Sequence, residues 1–398
     1  MFWLLVLARL IEPTSKLDSL RVIAEAGLSP PSYSTLKRRL GGYAEPGFRQ
    51  DLAAACAARA DLGPSALVLY DVSTLYFETD EADGFREPGY SKERRIDPQI
   101  LIGLLTDASG FPLMVNSFKG NEGETKTILP VLEAFKAAHE LSDVTVVADA
   151  GMLSHDNRKA IDAAGLSYII GQRIPEIPYV IAKWMENHPD QGPEDGQVFT
   201  ARTFSGPAGA RREGRIYYQY RARRARRTLR GIDEQVAKAE RAAAGRAQVK
   251  RNRFLTLIDE DRYVNRELEA KARALAGYKG YITNLLPERA SAEFIISAYH
   301  RLWHIEKSFR MSKHDLAARP IYHRLHDSIE AHLTVVFAAL AVARRLEHLT
   351  GWSLKKFITT ARRYKTVTIR AGGQDITAAD PLPEDLAAAL KAVHQGAH

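Results

Sequence analysis

From Ala66 to Ile170 the chain alternates short apolar runs with helical patterns, and few folds accommodate such an order. The turn Asp107–Gly110 separates the second apolar run from the third, which predicts an antiparallel hairpin. The predicted elements, in chain order, are a strand at 66–70 that ends at Asp71 and is continued at 74–77, strands at 100–105 and 112–118, a helix at 126–140, a strand at 144–148, a helix at 155–164 and a strand at 167–170. We therefore predict an α/β fold, a mixed sheet with helices on both faces.

This succession of three strands, helix, strand, helix and strand is that of a ribonuclease H-like fold. The regular pattern lapses after Arg173 and returns at Lys279. Because a structureless loop of that length is unusual in a compact domain, we expect an inserted subdomain. We predict an N-terminal helical region at 1–60, the first part of a catalytic core at 61–175, an insertion subdomain at 176–274, the second part of the core at 275–350 and a C-terminal tail at 351–398.

The N-terminal 60 residues read as short helices, and we assign this region to DNA binding. Ser34 or Thr35 can begin a basic helix that faces DNA, although a scaffold helix with a solvated basic face fits equally well. The chain begins inside an apolar helical pattern, so we expect that an N-terminal portion found in relatives is missing.

Charge and cysteine content narrow the class of protein. The formal net charge of +8 favours a polyanionic partner. The single cysteine, Cys56, excludes an intrachain disulfide and favours the reducing cytosol. The apolar opening reaches Arg9 too early to span a bilayer, so no membrane association is expected.

A row of polar and aromatic residues recurs at helical spacing between positions 299 and 313. On a regular α-helix, positions 299, 306 and 313 fall within roughly 40° of one another, with 303 and 310 alongside. The residues of the row are Tyr299, Trp303, Glu306, Arg310 and Lys313. One carboxylate, two cations and two aromatic groups are therefore expected on one face of a helix.

Two aspartates far upstream, Asp71 and Asp149, stand at the ends of apolar strand-like runs. Each alone is more often a turn or a helix cap, and a lone glutamate on a helix is usually solvated. Together with Glu306 they provide three carboxylates on rigid elements. Two-metal phosphodiester chemistry needs such ligands, because Mg²⁺ prefers oxygen. The pattern predicts an enzyme that cuts and joins DNA.

Three segments carry these carboxylates. They are Leu69-Tyr-Asp-Val-Ser-Thr74, Val146-Val-Ala-Asp-Ala-Gly151 and Tyr299-His-Arg-Leu-Trp-His-Ile-Glu-Lys-Ser-Phe-Arg-Met-Ser-Lys313. In these segments the chain resembles bacterial insertion-sequence transposases of the DDE class, which carry a Tyr-Arg-Glu-Lys signature around the third carboxylate. The resemblance implies that Asp71, Asp149 and Glu306 are the catalytic residues and bind two Mg²⁺ ions, for which Mn²⁺ can substitute.

The resemblance also implies what the protein acts on. The activity would be metal-dependent DNA cleavage and strand transfer at the ends of an insertion sequence. The partners would be double-stranded DNA, at the transposon ends and at the target, and a second copy of the chain in a homodimer on DNA. The location would be the cytoplasm, in association with the nucleoid.

One position departs from the family signature, because Leu302 stands where the family has an arginine. Arg301 lies about 200° from Tyr299 around a helix, whereas Arg310 lies about 20° from it. We carry over Tyr299 and Lys313 by match, as residues that hold DNA phosphates. We infer that Arg310 supplies the missing cation.

Two further features are candidates for DNA contact. Trp303 either stacks on an unpaired base or is a core aromatic that pins its helix to the sheet. The segment 211–230 contains nine arginines with tyrosines interleaved, and it suits a phosphate backbone or forms a solvated face. Its most closely spaced arginines are Arg223, Arg224, Arg226 and Arg227.

Two other functions share part of this evidence. A nuclease that hydrolyses DNA without joining it would carry the same carboxylates, and a strand-transfer assay separates the two activities. A DNA-binding transposase remnant without catalysis is favoured by the abrupt N-terminus and by Leu302. The presence of all three carboxylates favours an active transposase over such a remnant.

Overall fold

The computed structural model describes residues 1–60, 62, 65–89, 96–139, 141, 143–152, 154–205, 212–248, 251–258 and 261–396. These residues divide into two compact units, Met1–Val146 with Arg301–His398, and Val147–His300. No helix within the described ranges is long and apolar enough to cross a membrane.

Helices and strands occupy most of the described chain. The helices are α1 (Phe2–Ile11), α2 (Ser19–Glu25), α3 (Tyr33–Leu40), α4 (Pro46–Ala60), α5 (Ile128–His139), α6 (His155–Ala163), α7 (Tyr179–Asn187), α8 (Ala222–Ala243), α9 (Arg266–Ala274), α10 (Ala292–His300), α11 (Leu302–Arg310), α12 (His326–Thr350), α13 (Leu354–Ala361) and α14 (Glu384–Gln395). The strands are β1 (Ser65–Tyr76), β2 (Gln99–Asp107), β3 (Pro112–Lys119), β4 (Asp143–Ala148), β5 (Ser167–Gln172), β6 (Val198–Ser205), β7 (Arg212–Tyr220), β8 (Leu255–Ile258), β9 (Asp261–Val264), β10 (Tyr278–Thr283), β11 (Thr366–Ala371) and β12 (Gln374–Ala379).

The main sheet of the described strands runs in the order β3-β2-β1-β4-β5-β10-β7-β6. β1 and β2 pair antiparallel, as do β2 and β3, which makes the predicted meander. The first five positions of the sheet follow the strand order 3-2-1-4-5 of a ribonuclease H-like fold. The predicted fold class, a mixed sheet with helices, is therefore confirmed.

The first unit is built around α12, which is buried along most of its length. Its apolar residues leave no polar stripe between Leu333 and Ala341, as expected of a helix enclosed by other elements. α12 packs against α1, α4 and β3. Glu330 of α12 is buried, and it pairs with Arg49 of α4 and accepts a hydrogen bond from Ser117 of β3. These polar contacts fix one position of the helix in an apolar surrounding.

In the second unit, β5 pairs with β10, β10 with β7, and β7 with β6, all antiparallel. Two strands of this sheet, β6 and β7, lie within the predicted insertion at 176–274, although we expected the sheet to resume only after it. A smaller cluster is formed by α8, β8, β9 and α9, whose side chains pack around Phe254. Arg211, the first residue of the predicted arginine segment, lies outside the described residues. The insertion boundaries at 176–274 stay a prediction.

The tail contains an exposed hairpin. β11 and β12 pair antiparallel across the turn Gly372–Gly373, and every residue of the two strands is exposed. The register places Val367, Ile369 and Ile376 on one face of this two-stranded ribbon. After the hairpin, α14 returns to pack against α12 and α13.

Candidate active site

Asp71 lies inside β1 and not at its end, which corrects the expectation from the sequence. It is opposite Leu104 of β2, and the ladder continues to Tyr76. Its neighbours Tyr70 and Val72 are buried, whereas Asp71 is half-buried because side chains alternate between the faces of a strand. The Oδ1 atom of Asp71 accepts a hydrogen bond of 2.8 Å from the Val72 backbone N–H.

Asp149 directly follows β4, as predicted, and its side chain is exposed. Its Oδ1 atom accepts a hydrogen bond of 2.8 Å from the Ala150 backbone N–H and one of 2.6 Å from the Tyr299 hydroxyl. The Tyr299 ring lies against Gly171 of β5, within the same unit. Sequence reasoning missed Gly171, although a glycine within a strand often marks a close approach of another group.

The row 299–313, which we expected on one face of a helix, does not lie on one regular helix. α10 ends at His300, Arg301 forms a turn, and α11 begins at Leu302. The N–H of His304 bonds to the carbonyl of Arg301 at 2.8 Å, three residues back, which is the tighter 3₁₀ pattern. No Pro or Gly causes the break, which is why the sequence did not indicate it.

A second irregularity follows α11. Residues Met311–Asp315 form a π-helical turn, closed by the N–H of Leu316 to the carbonyl of Met311 at 3.0 Å. Lys313 lies in this turn and is half-buried. Because a π turn takes five residues per hydrogen bond, the direction of Lys313 cannot be taken from the α-helical angles used above.

α11 itself has a buried face and an exposed face. Ile305, Ser308 and Phe309 are buried, and the Ser308 hydroxyl donates to the carbonyl of Gly110 in the β2–β3 turn at 2.7 Å. The Lys307 ammonium pairs with Glu347 of α12 at 2.7 Å. The helix carrying Glu306 is thus held by both the meander and α12.

Three predicted site residues occupy the exposed face of α11. Glu306 and Arg310 are exposed and one helical turn apart. Trp303 is 53% exposed and stacks on His304, with ring centroids 3.7 Å apart. The alternative of a core aromatic at Trp303 is therefore wrong. Burial, with nearby Arg344, lowers the pKa of His304 and favours the neutral ring beneath the indole.

The arginines of α8 divide into two kinds. Arg223, Arg226 and Arg227 are exposed on the first two turns of the helix, and we call them the α8 arginine row. Arg224 instead turns inward, where its Nη1 donates to the carbonyls of Gln219 at 3.4 Å and Gly277 at 3.2 Å. Its availability for DNA is therefore lower than the sequence suggested.

The tyrosines of the arginine segment also differ from the expectation. Tyr217 and Tyr218 are buried in β7, at 3% and 8% exposure. Their rings belong to the sheet, so they do not interleave with the exposed arginines as a surface for a nucleic acid.

The donor chemistry of the predicted ligands fits a hard divalent cation, because Asp71, Asp149 and Glu306 all offer carboxylate oxygens. Within the ranges that the structure describes, no group of three or more His, Cys, Asp or Glu side chains forms a metal centre. The assignment of these three residues to one metal site stays a prediction.

Comparisons with known proteins identify the family. Residues 63–342 match the family model of the transposase DDE domain. Among solved structures, the chain is similar to the piggyBac transposase in a cryo-EM structure of its synaptic complex with hairpin DNA, with 10% sequence identity and a TM-score of 0.47. That match covers 90% of this chain and 68% of the other. No curated protein matches the chain. Since the family match spans more than half of the sequence, the chain belongs to the transposase DDE domain family.

Proposed function

We propose that the protein is a metal-dependent transposase that cleaves DNA at the ends of an insertion sequence and joins those ends to a target. The observation that carries the proposal is the family match over residues 63–342, which includes Asp71, Asp149 and Glu306. The bacterial origin and the Tyr-Arg-Glu-Lys type of signature are part of the same proposal.

The three carboxylates would hold two Mg²⁺ ions, or Mn²⁺ in their place. When bound, such ions activate the attacking water or 3′-hydroxyl and stabilise the leaving oxygen. The carboxylates suit this task because they leave positions on the metal for phosphate oxygens. No covalent protein nucleophile is required.

The cations and the indole around Glu306 would bind the scissile strand. Arg310, exposed on the Glu306 side of α11, offers a planar fork for a phosphate, and Lys313 offers a point charge. Trp303 is 53% exposed, and an unpaired base could stack on its indole. The roles of all three remain proposals.

The α8 arginine row would bind the phosphate backbone of double-stranded DNA. These arginines lie at the N-terminal end of their helix, where the helix dipole also favours an anion. Contacts of this type depend on charge and not on sequence, so they fit both transposon ends and target. We propose a homodimer on DNA, and a cytoplasmic location in association with the nucleoid.

The direct test replaces each carboxylate with alanine. Asp71→Ala, Asp149→Ala and Glu306→Ala should each abolish Mg²⁺-dependent cleavage of a duplex carrying the inverted repeats that flank the gene. DNA affinity in a gel-shift assay should change less than about threefold, because the basic residues provide most of the binding. Asp156→Ala, an exposed acid on α6, is the matched control and should cleave normally.

Each outcome of this test has a distinct meaning. Retained cleavage in Glu306→Ala would contradict the catalytic assignment. Cleavage without joining in a strand-transfer assay would make the protein a nuclease. DNA binding without cleavage by the unsubstituted protein would make it a non-catalytic remnant.

A further inference from the structure

We infer that Tyr299 is a positioning residue that orients the Asp149 carboxylate, and not a ligand of a DNA phosphate. The inference rests on the proposed function, because it takes Asp149 to be a metal ligand. All residues that carry it belong to the unit Val147–His300.

The position of the Tyr299 ring is fixed on several sides. Only 5% of the residue is exposed. A Cβ atom added to Gly171 would lie 2.7 Å from the Tyr299 hydroxyl oxygen and 3.1 Å from two ring carbons, so the ring rests directly on the β5 backbone. The Tyr281 ring packs edge-on with its centroid 5.2 Å away, and the Lys279 ammonium lies 4.3 Å from the Tyr299 centroid. A ring so enclosed holds its hydroxyl at a defined point.

At that point the hydroxyl is hydrogen-bonded to the Asp149 carboxylate. The Tyr299 hydroxyl donates to Oδ1 of Asp149 at 2.6 Å, and the Ala150 N–H donates to the same oxygen at 2.8 Å. Asp149 itself is exposed and comes directly after β4. Both donors bond to the same oxygen, and the one from Tyr299 comes from a side chain whose ring is itself fixed, so it orients the carboxylate.

The same geometry argues against a phosphate contact. A DNA phosphate could reach the Tyr299 hydroxyl only by displacing Asp149 and by entering a site that is almost closed to solvent. Hydrogen-bond partners of metal ligands typically change metal affinity or activity by about 10- to 100-fold when removed. The expected consequence of losing the hydroxyl is therefore weaker metal binding, with DNA affinity preserved.

The test uses Tyr299→Phe in the full chain, which removes the hydroxyl and keeps the ring. Mn²⁺ titration calorimetry without DNA measures metal affinity, and a gel shift in EDTA measures DNA affinity. We expect the Mn²⁺ dissociation constant to rise about tenfold, the DNA dissociation constant to stay within about twofold, and the Mg²⁺ concentration for half-maximal cleavage to rise. Tyr218→Phe, which removes a hydroxyl from a buried tyrosine of β7, is the matched control and should leave all three values unchanged.

A second variant approaches the same contact from the other side. Gly171→Ala leaves the hydroxyl in place but pushes the Tyr299 ring away from β5. It should raise the Mn²⁺ dissociation constant in the same direction as Tyr299→Phe.

Two results would overturn the inference. In one, Tyr299→Phe weakens DNA binding while Mn²⁺ affinity stays the same, which would make Tyr299 a phosphate ligand. In the other, neither affinity changes although the unsubstituted protein binds Mn²⁺ and cleaves DNA. If the unsubstituted protein neither binds Mn²⁺ nor cleaves, the proposed function fails first, and the two failures are thereby distinguished.

Discussion

Gly110 offers a sharp test of how α11 is held. It ends the β2–β3 turn with a φ of +85°, a conformation that L-residues rarely adopt. Its carbonyl accepts the hydrogen bond from the buried Ser308 hydroxyl of α11. A Cβ atom at this position would lie 2.8 Å from the carbonyl oxygen and 2.9 Å from the Cβ atom of His304. Gly110→Ala should therefore strain the turn and press against the helix that carries Glu306.

Two terms contribute to the expected loss of stability. The left-handed conformation costs an alanine about 1 kcal/mol relative to glycine. Overpacking against the α11 backbone costs about 1–3 kcal/mol, because a backbone carbonyl cannot move aside as a flexible side chain can. The sum is a decrease of about 2–4 kcal/mol in the free energy of unfolding.

Gly351 provides the matched control. It ends α12 at a φ of +70°, and an added Cβ there would meet no atom within 4 Å. Both positions belong to the same unit, so urea unfolding of that unit reports both substitutions. Gly351→Ala should lower the free energy of unfolding only by the cost of the left-handed conformation. The further loss in Gly110→Ala then measures the cost of the clash with α11.

The contact between Gly110 and α11 should also affect cleavage. Gly110→Ala should reduce Mg²⁺-dependent cleavage more than Gly351→Ala does, because it displaces the helix bearing Glu306. Equal loss of stability in the two variants would show that the turn and α11 do not pack as described, and the reasoning would fail.

Three other predictions follow. Replacing the α8 arginine row with alanine should make the slope of log affinity for DNA against log salt concentration shallower by about 3. Replacing Lys238 and Arg241, later in the same helix, should leave the slope unchanged. An unchanged slope in the first variant would make the row a solvated face. Arg310→Ala should impair cleavage far more than Arg301→Ala, and equal effects in a cleavage assay would reject Arg310 as the substitute cation. Burial and nearby cations lower the pKa of His323 to about 4, so the folded state resists protonation and the free energy of unfolding should fall by about 1.5 kcal/mol between pH 6.5 and 5. His323→Gln should lose less in urea unfolding, and an identical pH dependence would contradict this.

Local patterns in the sequence predicted much of the fold. The meander and the strand that ends before Asp149 follow from the pattern of apolar residues, which indicates which face of an element is covered. The position of Asp71 was predicted less well. The apolar run predicts a strand end at Asp71, where an aspartate is unfavourable in a strand, but pairing with β2 continues the strand to Tyr76.

The candidate site depends on features that local patterns do not contain. The turn at Arg301 and the π turn after Arg310 involve no Gly or Pro, and they interrupt the helical row that sequence spacing treated as regular. Arg224 and its exposed neighbours are chemically identical in the sequence. Arg224 differs because it donates hydrogen bonds to the carbonyls of Gln219 in β7 and of Gly277 just before β10. Such differences arise from tertiary contacts.

The exposed hairpin β11–β12 makes the tail tolerant of added sequence. None of its strand residues is buried, so an insertion at Gly372–Gly373 would remove no core contact. Both flanks remain anchored, since α13 precedes the hairpin and α14 packs against α12 after it. A fluorescent or affinity domain placed between these glycines would label the protein internally, while α13 and α14 on either side stay packed as they are.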